Sequence, residues 1–209
     1  MACESCGLRF LSSFEHVEND YYDRGGMHDN GAELKRWIRE TEDDDDRHFA
    51  GLESLIAGKR VLDLGCGNGE YLLRARRAAC ALAGVDLDGA ARHRLEALNI
   101  RFFRSLDETH GQYDIITLFH VLEHLTDPRA LLVDLSRYLD PDGQVVIEVP
   151  NADDALFRLY ECERFRRFVH WSCHLFEFNE RTLIRILEQA GARVLNVLRV
   201  QRYPVTNHM

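Results

Sequence analysis

The feature of this sequence that most constrains its fold is an alternation of short apolar segments with amphipathic segments, beginning at residue 60. Short apolar runs bounded by turn-forming residues are typical of buried strands, and apolar residues recurring every three to four positions are typical of helices. The predicted strands are 60–64, 82–86, 100–103, 113–119 and 144–149, and the predicted helices are 70–79, 89–98 and 128–138. This order predicts an α/β fold, a doubly wound and mainly parallel sheet with flanking helices.

The residues before this alternation have a different character. Residues 1–57 are predicted to form a lead-in that acts as an N-terminal helical lid, and residues 58–209 the main domain. A helix is predicted over 32–40. We interpret the acidic run 42–46 as a solvated helix start, because carboxylates are stabilised at the positive end of a helix.

The end of the chain adds one helix and one strand to the prediction. Residues 180–190 have helical periodicity and are followed by Gly191, a residue that commonly ends helices. A sixth strand is predicted over 193–200. The strand order expected for such a fold is 3-2-1-4-5-6, which places the first strand, 60–64, in the middle of the sheet.

Charge and composition argue against several classes of function. The chain carries 26 Lys and Arg residues against 35 Asp and Glu residues, a formal net charge of −9 at pH 7. Such a surface repels phosphate backbones and anionic lipids. No segment approaches the roughly 20 apolar residues of a membrane span, and the first ten residues lack a signal-peptide pattern. We therefore expect a cytoplasmic protein with a small-molecule partner, no nucleic-acid partner and no membrane span.

The six cysteines are scattered and lack the dense spacing of a disulfide framework, so they are expected to be reduced thiols. Cys3 and Cys6, followed by Gly7, have the spacing of half a zinc knuckle. Structural zinc needs four ligands, and no second C-x-x-C pair follows. We therefore assign no metal ion to this pair. Separately, Cys66 is assigned no nucleophilic role.

A glycine-rich turn lies where the first predicted strand passes into a helix. Its glycines occupy alternate positions, 65, 67 and 69, and permit a tight turn that brings backbone N–H groups close to a ligand. The next strand ends in Asp86, seventeen positions after Gly69, where a carboxylate can accept the hydroxyls of a ribose. Asp63 and Glu70 flank the turn, and their charges suit a ligand that carries an ammonium group better than a pyrophosphate.

These motifs resemble those of the class I S-adenosylmethionine (SAM)-dependent methyltransferases. The resemblance rests on the segment VLDLGCGNG at 61–69, on Asp86 within GVDLD, and on the segments 113–125 and 139–143. It covers roughly residues 58 to 200. The resemblance implies a Rossmann-like fold, SAM as the cofactor and methyl transfer to a small-molecule or glycosidic acceptor, at oxygen.

The resemblance also implies a set of cofactor-binding residues. They are Asp63, Gly65, Gly67 and Gly69 around the methionine moiety, Asp86 and Leu87 at the ribose, Ser105 and Leu106 at the adenine, and Phe119 and His120 facing the sulfonium. Ligands of such sheets lie beyond the carboxyl ends of the strands, which is where these residues stand in the sequence.

The lead-in resembles a subgroup found in polysaccharide and sugar-modifying pathways, and the main domain also resembles ubiquinone-type small-molecule methyltransferases. The lead-in features are the half-knuckle CGLRF and the pair Tyr21-Tyr22, and the ending 200–208 fits as well. The resemblance implies a sugar or sugar-nucleotide acceptor. The first half of the zinc ribbon and the family's seventh strand have no counterpart before Met209, so a shortened form with a missing seventh strand is expected.

Histidines follow the fourth predicted strand and recur in a later loop, and three interpretations of them stay open. His120, His124 or His174 is the general base, because an imidazole has a pKa near neutrality. Alternatively, His120, Glu123, His124 and His174 hold a divalent metal ion, an arrangement similar to that of small-RNA 2′-O-methyltransferases and catechol-type enzymes. In the third interpretation these side chains are structural. We list the three histidines as catalytic candidates and assign no metal.

Two other classes compete with methyl transfer. A nicotinamide-dependent oxidoreductase uses a related sheet with a glycine-rich turn. A catalytically silent protein with a SAM-binding fold would act through a partner protein. Titration with SAM and with NAD(H) separates these possibilities.

Overall fold

The structure is a computed structural model that describes residues 1–16, 31–163 and 173–202, without the side chains of residues 31–33 and 90. The pair Tyr21-Tyr22 and most of the ending 200–208 lie outside the described residues. The chain divides into two compact units. The sheet unit comprises Glu18–Phe119 and Arg137–Ile147, and the smaller unit comprises Met1–Val17, His120–Ser136 and Glu148–Met209.

Seven strands and six α-helices are described, with short 3₁₀ turns between them. The strands are β1 (Arg9–Phe10), β2 (Arg60–Leu64), β3 (Ala81–Val85), β4 (Arg101–Phe103), β5 (Tyr113–Phe119), β6 (Leu139–Glu148) and β7 (Phe176–Glu177). The helices are α1 (Gly31–Ile56), α2 (Glu70–Ala75), α3 (Arg92–Glu96), α4 (Pro128–Asp134), α5 (Ala155–Arg158) and α6 (Glu180–Gln189).

Strands β2 to β6 form one sheet in the order β4-β3-β2-β5-β6. Strand β2 is parallel to both β3 and β5, so that Val61 is paired with Leu82 on one side and Ile115 on the other. Strand β4 is parallel to β3. The predicted mainly parallel sheet, with the first of its strands in the middle, is confirmed.

The predicted sixth strand over 193–200 is wrong, because these residues form neither helix nor strand. Its large apolar side chains are exposed, with Leu195 at 60% and Leu198 at 77% of their full accessible surface. A strand needs a neighbour for its backbone hydrogen bonds, and β-forming residues alone do not supply one. No such neighbour lies in the described part of the chain.

The core of the sheet unit lies between the strands and helix α2. Val61 and Leu62 of β2 are fully buried, and so are Leu72 and Ala75 of α2. Contact between strand and helix is closest at Gly84, where an added Cβ would lie 2.8 Å from both Cys66 Sγ and Leu72 Cδ1. The chain therefore has no room for a side chain at this position of β3.

An arginine joins the amino ends of three neighbouring strands. The backbone N–H of Arg60 donates to Asp114 at 2.7 Å, and its guanidinium donates to Asp114 at 2.8 and 3.0 Å and to Asp140 at 2.8 Å. Arg60 begins β2, Asp114 lies in β5 and Asp140 in β6. The three strands are thus linked by side chains as well as by the sheet's own hydrogen bonds.

Helix α1 is longer than predicted and runs from Gly31 to Ile56. The acidic run 42–46 lies in its interior, so the interpretation of that run as a helix start is wrong. Nearby arginines compensate part of its charge, since Asp46 pairs with Arg74 and Asp44 with Arg47. None of the helices in the described residues has the length and apolar character of a membrane span.

The smaller unit contains a short antiparallel pairing that the sequence did not predict. Strand β1 pairs with β7, with Arg9 opposite Glu177 and Phe10 opposite Phe176. The side chains of Arg9 and Glu177 form an ion pair at 2.8 Å, and Arg9 also donates to the carbonyl of Ala152 at 2.9 Å. These contacts hold the first residues of the chain against the segment around residue 176.

The half-knuckle forms a tight turn before β1. The Gly7 N–H donates to the Cys3 carbonyl, and the Cys3 N–H donates to Leu8, both at 2.8 Å. A hydrogen bond from the Ser5 side chain, followed by backbone N–H groups, lowers the pKa of the Cys3 thiol to about 7. The prediction that Cys3 and Cys6 bind no metal, and the predicted division at residue 57, stay predictions.

Candidate functional site

The glycine-rich turn connects β2 to α2 and is tied to the neighbouring strand. The N–H groups of Gly65 and Cys66 both donate to the carbonyl of Val85, at 2.8 and 3.1 Å. Gly67 has a φ of +50°, a left-handed conformation that strongly favours glycine. An added Cβ at Gly67 would also lie 2.9 Å from the ring of Trp37 on α1. Backbone conformation and a close aromatic neighbour therefore both require glycine there.

Asp86 follows β3 and is fixed against this turn. Its Oδ2 accepts the Gly67 N–H at 2.7 Å and its Oδ1 accepts the Asp88 N–H at 2.8 Å. Burial raises the pKa of its carboxyl. Each carboxylate oxygen keeps a further lone pair, so Asp86 can accept additional hydrogen bonds from a ligand hydroxyl.

Asp63 lies within β2 and is buried below the turn. Its Oδ1 accepts a hydrogen bond from the Thr117 hydroxyl of β5 at 2.6 Å. Burial raises the pKa of Asp63 to about 7, with smaller contributions from the charges of Asp45 and Asp86. Thr117 is a partner that the sequence analysis missed, because its role appears only when β2 and β5 are paired.

One face of helix α1 covers the turn and the end of β5. Trp37 contacts Gly67, Thr41 accepts a hydrogen bond from the Asn68 side chain at 3.0 Å, and the His48 ring stacks on Phe119 with centroids 3.8 Å apart. These residues are four and seven positions apart, which places them on one face of the helix. Thr41 and His48 lie beyond residue 40, where the helix was predicted to end, and no role was predicted for Trp37.

We refer to Asp63, Gly65–Gly69, Asp86 and the covering face of α1 as the loop cluster. Glu70, which the sequence placed beside the turn as an uncompensated charge, is paired with Arg74 at 2.7 Å and with Arg94. The negative charge of the loop cluster is therefore carried by aspartates. Leu87 is exposed beside Asp86, and the half-buried pair Ser105 and Leu106 follows β4, whose Phe103 carbonyl accepts the Asp86 N–H at 3.1 Å.

The smaller unit contains a second group of polar side chains, which we call the histidine cluster: His120, Glu123, His124 and His174. His120 has a φ of +56°, which is uncommon for a residue other than glycine. Its ring lies 3.5 Å from the Glu123 carboxylate and 3.2 Å from the Glu148 carboxylate. Burial alone would lower the pKa of His120, but these carboxylates outweigh it and raise the pKa to about 9.

Glu123 is the most deeply buried member of the histidine cluster. Its side chain is 1% exposed, and among the described residues neither carboxylate oxygen has a hydrogen-bond partner. Burial acts against its charge, but the contact with His120 lowers the pKa of Glu123. Its backbone carbonyl accepts the Leu175 N–H at 2.8 Å, which holds residue 123 beside the segment that carries His174.

His124 and His174 complete the cluster. Nδ1 of His124 lies 2.8 Å from the Cys173 carbonyl, and a carbonyl only accepts, so Nδ1 carries the proton of the neutral ring and Nε2 is its acceptor nitrogen. Burial lowers the pKa of His124. One ligand atom each from Glu123, His124 and His174 lie within 4.8 Å of one another. The cluster can accept a proton or hold a cation.

Comparison with known proteins identifies the family. A profile of methyltransferase domains matches residues 34–197. The chain belongs to this methyltransferase family. It is 28% identical to a ubiquinone biosynthesis O-methyltransferase of Pseudomonas aeruginosa, over 95% of this chain and 88% of that protein. The methyltransferase is thus of the class I, SAM-dependent type that the sequence motifs indicated.

Solved structures agree on the fold. An O-methyltransferase family protein from Burkholderia thailandensis has a TM-score of 0.64 at 18% identity, over 84% of this chain and 58% of that chain. A magnesium protoporphyrin IX methyltransferase from Synechocystis, solved with bound SAH, has a TM-score of 0.56 at 20% identity, over 85% of this chain and 86% of that chain. The fold of the methyltransferase is shared with both.

The loop cluster has the chemistry that SAM requires. The glycine-rich turn has no room for a side chain at Gly67, and the aspartates Asp63 and Asp86 lie beside it, with Asp63 fully buried. SAM carries an ammonium and a sulfonium and no phosphate, which matches a negatively charged cluster. Of the predicted cofactor residues, the sheet unit brings Asp63, Gly65, Gly67, Gly69, Asp86 and Phe119 to one edge of its parallel strands. His120 lies in the smaller unit.

Proposed function

We propose that this methyltransferase transfers the methyl group of SAM to a hydroxyl oxygen of a small-molecule acceptor. The histidine cluster carries the proposal, because the buried Glu123 carboxylate lies beside the imidazoles of His124 and His174, and residues 123 and 124 closely follow β5 in the sequence. A hydroxyl must lose its proton when it is methylated, and a base beside it accelerates the reaction. The relatives named as ubiquinone biosynthesis O-methyltransferases support oxygen as the acceptor atom.

We propose the loop cluster as the cofactor site. When bound, SAM supplies a methyl group on a positively charged sulfur. Asp86 accepts hydrogen bonds from the ribose hydroxyls, and the turn at Gly65–Gly69 together with Asp63 surrounds the methionine moiety. The further contacts proposed from the motifs are those of Leu87, Ser105, Leu106, Phe119 and His120.

His124 is the proposed base. Its Nδ1 donates a hydrogen bond to the Cys173 carbonyl at 2.8 Å. This bond orients the ring and selects the tautomer in which Nε2 is the basic nitrogen. His174 lies beside it, with ring centroids 4.9 Å apart. His120 lies between the carboxylates of Glu123 and Glu148 and is proposed to position them.

A metal ion is the second candidate for activating the acceptor oxygen. Glu123, His124 and His174 offer three ligand atoms, and a buried carboxylate without hydrogen bonds within the described residues is a group that a cation would stabilise. Imidazole-rich ligand sets favour Zn²⁺ over Mg²⁺. Either assignment leaves the overall reaction the same.

The acceptor is proposed to be a phenol or catechol, with a sugar or sugar nucleotide as the other class that the lead-in motifs support. A screen with SAM over both classes, read by mass spectrometry for SAH and for a methylated product, tests the reaction. We expect an O-methyl product in one class. A methyl group on nitrogen or carbon would contradict the proposal.

The role of the cluster is tested with His124→Ala and His174→Ala. If His124 is the base, we expect its loss to lower turnover by about 100-fold or more with little change in SAM affinity. Activity lost to a chelator and restored by Zn²⁺ or Mn²⁺ would support the metal ion. His110→Ala, an exposed histidine of the sheet unit, is the matched control and should leave turnover unchanged.

The described cysteines at positions 3, 6, 66, 80, 162 and 173 are free thiols. Free thiols are typical of a reducing compartment, which supports the proposal of a cytoplasmic location.

A further inference from the structure

Asp45 is a buried acid in the middle of helix α1 that the sequence analysis did not assign to a site. It is 9% exposed, and its Oδ2 has no hydrogen-bond partner within the described part of the chain. A buried carboxylate oxygen without a partner is costly, so its presence points to a group that binds there.

The position of Asp45 on the helix places it over the cofactor site. Thr41, one turn before it, bonds to Asn68 of the glycine-rich turn, and His48, one turn after it, stacks on Phe119 at the end of β5. Asp45 therefore lies on the same helix face, between one contact to the turn and one contact to the strand end.

Asp45 is also close enough to Asp63 for their charges to interact. The charge of Asp45 contributes to the raised pKa of Asp63, and burial raises the pKa of Asp45 itself to about 6. Arg74 is the cation that has the largest effect on the pKa of Asp45, and its guanidinium is paired with Asp46 and Glu70. The pKa of Asp45 is lowered in part by Arg74 and His48, whereas the charges that act on Asp63 are those of the carboxylates Asp45 and Asp86.

We propose that Asp45 is a cofactor-positioning residue that, together with Asp63, binds the α-ammonium group of the methionine moiety of SAM. An ammonium group has three N–H donors and one positive charge, so it can bond to both carboxylates and offset their repulsion. The inference rests on the placement of the methionine moiety beside Asp63.

The proposal predicts that SAM binding changes the number of protons bound to the protein. Burial raises the pKa of both carboxyls, so the cofactor-free protein holds protons on them at pH values where an exposed aspartate is ionised. The pKa of Asp45 responds to the charges of Arg74, His48, Glu70 and Asp63. The pKa of Asp63 responds to the charges of Asp45 and Asp86. The charge of Asp63 in turn raises the pKa values of Cys66 and Tyr71. An arriving ammonium group favours the ionised form of both carboxyls, so SAM binding should release protons below about pH 7.

The test compares wild type with Asp45→Asn by calorimetric titration against three ligands: SAM, SAH and methylthioadenosine. SAM and SAH both carry the ammonium group, whereas methylthioadenosine lacks it. We expect the variant to bind SAM and SAH about 10- to 100-fold more weakly, the range for losing a charge-assisted hydrogen bond, and to bind methylthioadenosine as wild type does. Asp43→Asn, an exposed residue of the same helix, should change none of the three affinities.

Other outcomes would overturn the proposal. Unchanged SAM affinity removes Asp45 from the site, and a loss confined to SAM assigns Asp45 to the sulfonium. Equal loss for all three ligands means general damage to the pocket and also contradicts the ammonium assignment. Titration in two buffers of different ionisation enthalpy should show proton release in wild type and less in the variant. Failure of Asp86→Ala to weaken methylthioadenosine binding would instead contradict the cofactor site as a whole.

Discussion

The imidazole ring of His48 lies parallel to the phenyl ring of Phe119, with centroids 3.8 Å apart and 8° between the ring planes. Tyr71 packs edge-on against the same phenyl ring at 5.0 Å. His48 comes from α1 and Phe119 is the last residue of β5. The carboxyl end of a central strand is therefore covered by a ring from the helix that precedes the sheet.

Replacing His48 with alanine should loosen this cover. We expect the free energy of unfolding to fall by about 1–3 kcal/mol, since a stacked aromatic pair contributes roughly 0.5–1.5 kcal/mol beyond the area it buries. Urea unfolding followed by circular dichroism measures the change. His93→Ala, at an exposed position on α3, is the control and should have little effect. An unchanged midpoint for His48→Ala would show that the stacking contributes nothing to stability.

Two substitutions test the cofactor contacts directly. Asp86→Ala should weaken SAM binding by about 1.5–3 kcal/mol, the cost of losing hydrogen bonds to a charged acceptor. Gly67→Val should abolish binding, because a side chain there meets the Trp37 ring and a backbone φ of +50°. Calorimetric titration measures both, with Asp142→Asn on the exposed part of β6 as the control. If both variants bind SAM as wild type does, the loop cluster is not the cofactor site.

The buried aspartate of β2 should make stability depend on pH. The pKa of Asp63 is raised from 3.8 to about 7 in the folded state, so the folded protein binds more protons than the unfolded chain between those values. Stability should therefore fall as pH rises from about 4 to 7, by a few kcal/mol in all, since each pKa unit corresponds to about 1.4 kcal/mol.

The measurement is the urea midpoint of the cofactor-free protein at pH 5 and pH 8. Asp63→Asn cannot titrate, so its stability should fall less over this range than that of wild type. Comparing the two proteins removes the contributions of all other titrating groups. Equal pH dependence in both would mean that Asp63 is ionised in the folded state at pH 5.

Two glycines of the sheet unit should respond in opposite directions to alanine. Gly84→Ala should destabilise the fold by about 1–3 kcal/mol, because the new Cβ would lie 2.8 Å from both Cys66 and Leu72. Gly51 lies inside α1 with no atom within 4 Å of an added Cβ, so Gly51→Ala should stabilise the helix by about 0.5–1 kcal/mol. Thermal unfolding of both variants is the measurement. A stabilised Gly84→Ala would mean that the sheet and α2 can move apart there.

The sequence was sufficient for most of the sheet because its strands contain short apolar runs, and helices separate β2 from β3, β3 from β4 and β5 from β6. The register that brings Thr117 to Asp63 depends on which strands pair, and no local pattern contains that information. The role of α1 was missed for a different reason. Its acidic interior was interpreted as a helix boundary, whereas Arg47 and Arg74 compensate part of that charge in the folded chain.

The pairing of β1 with β7 was also beyond local patterns. Each strand has only two residues, and the partners are separated by more than 160 positions in the sequence. The predicted strand over 193–200 is wrong for the opposite reason. Its composition suits a strand, but no strand pairs with it within the described residues. Composition predicts which segments can form strands, and the tertiary fold decides which of them do.

The contacts of Arg60 with Asp114 and Asp140 lie at the amino ends of the strands, away from the carboxyl ends where the glycine-rich turn and Asp86 follow β2 and β3. These contacts help to fix the register of β2 against the neighbouring strands, because a slip of β2 by one residue would separate Arg60 from Asp114. Such a slip would also turn Asp63 to the opposite face of the sheet, since side chains alternate along a strand. The alignment of Asp63 and the glycine-rich turn at the carboxyl edge is therefore set in part by charges at the far end of the same strands.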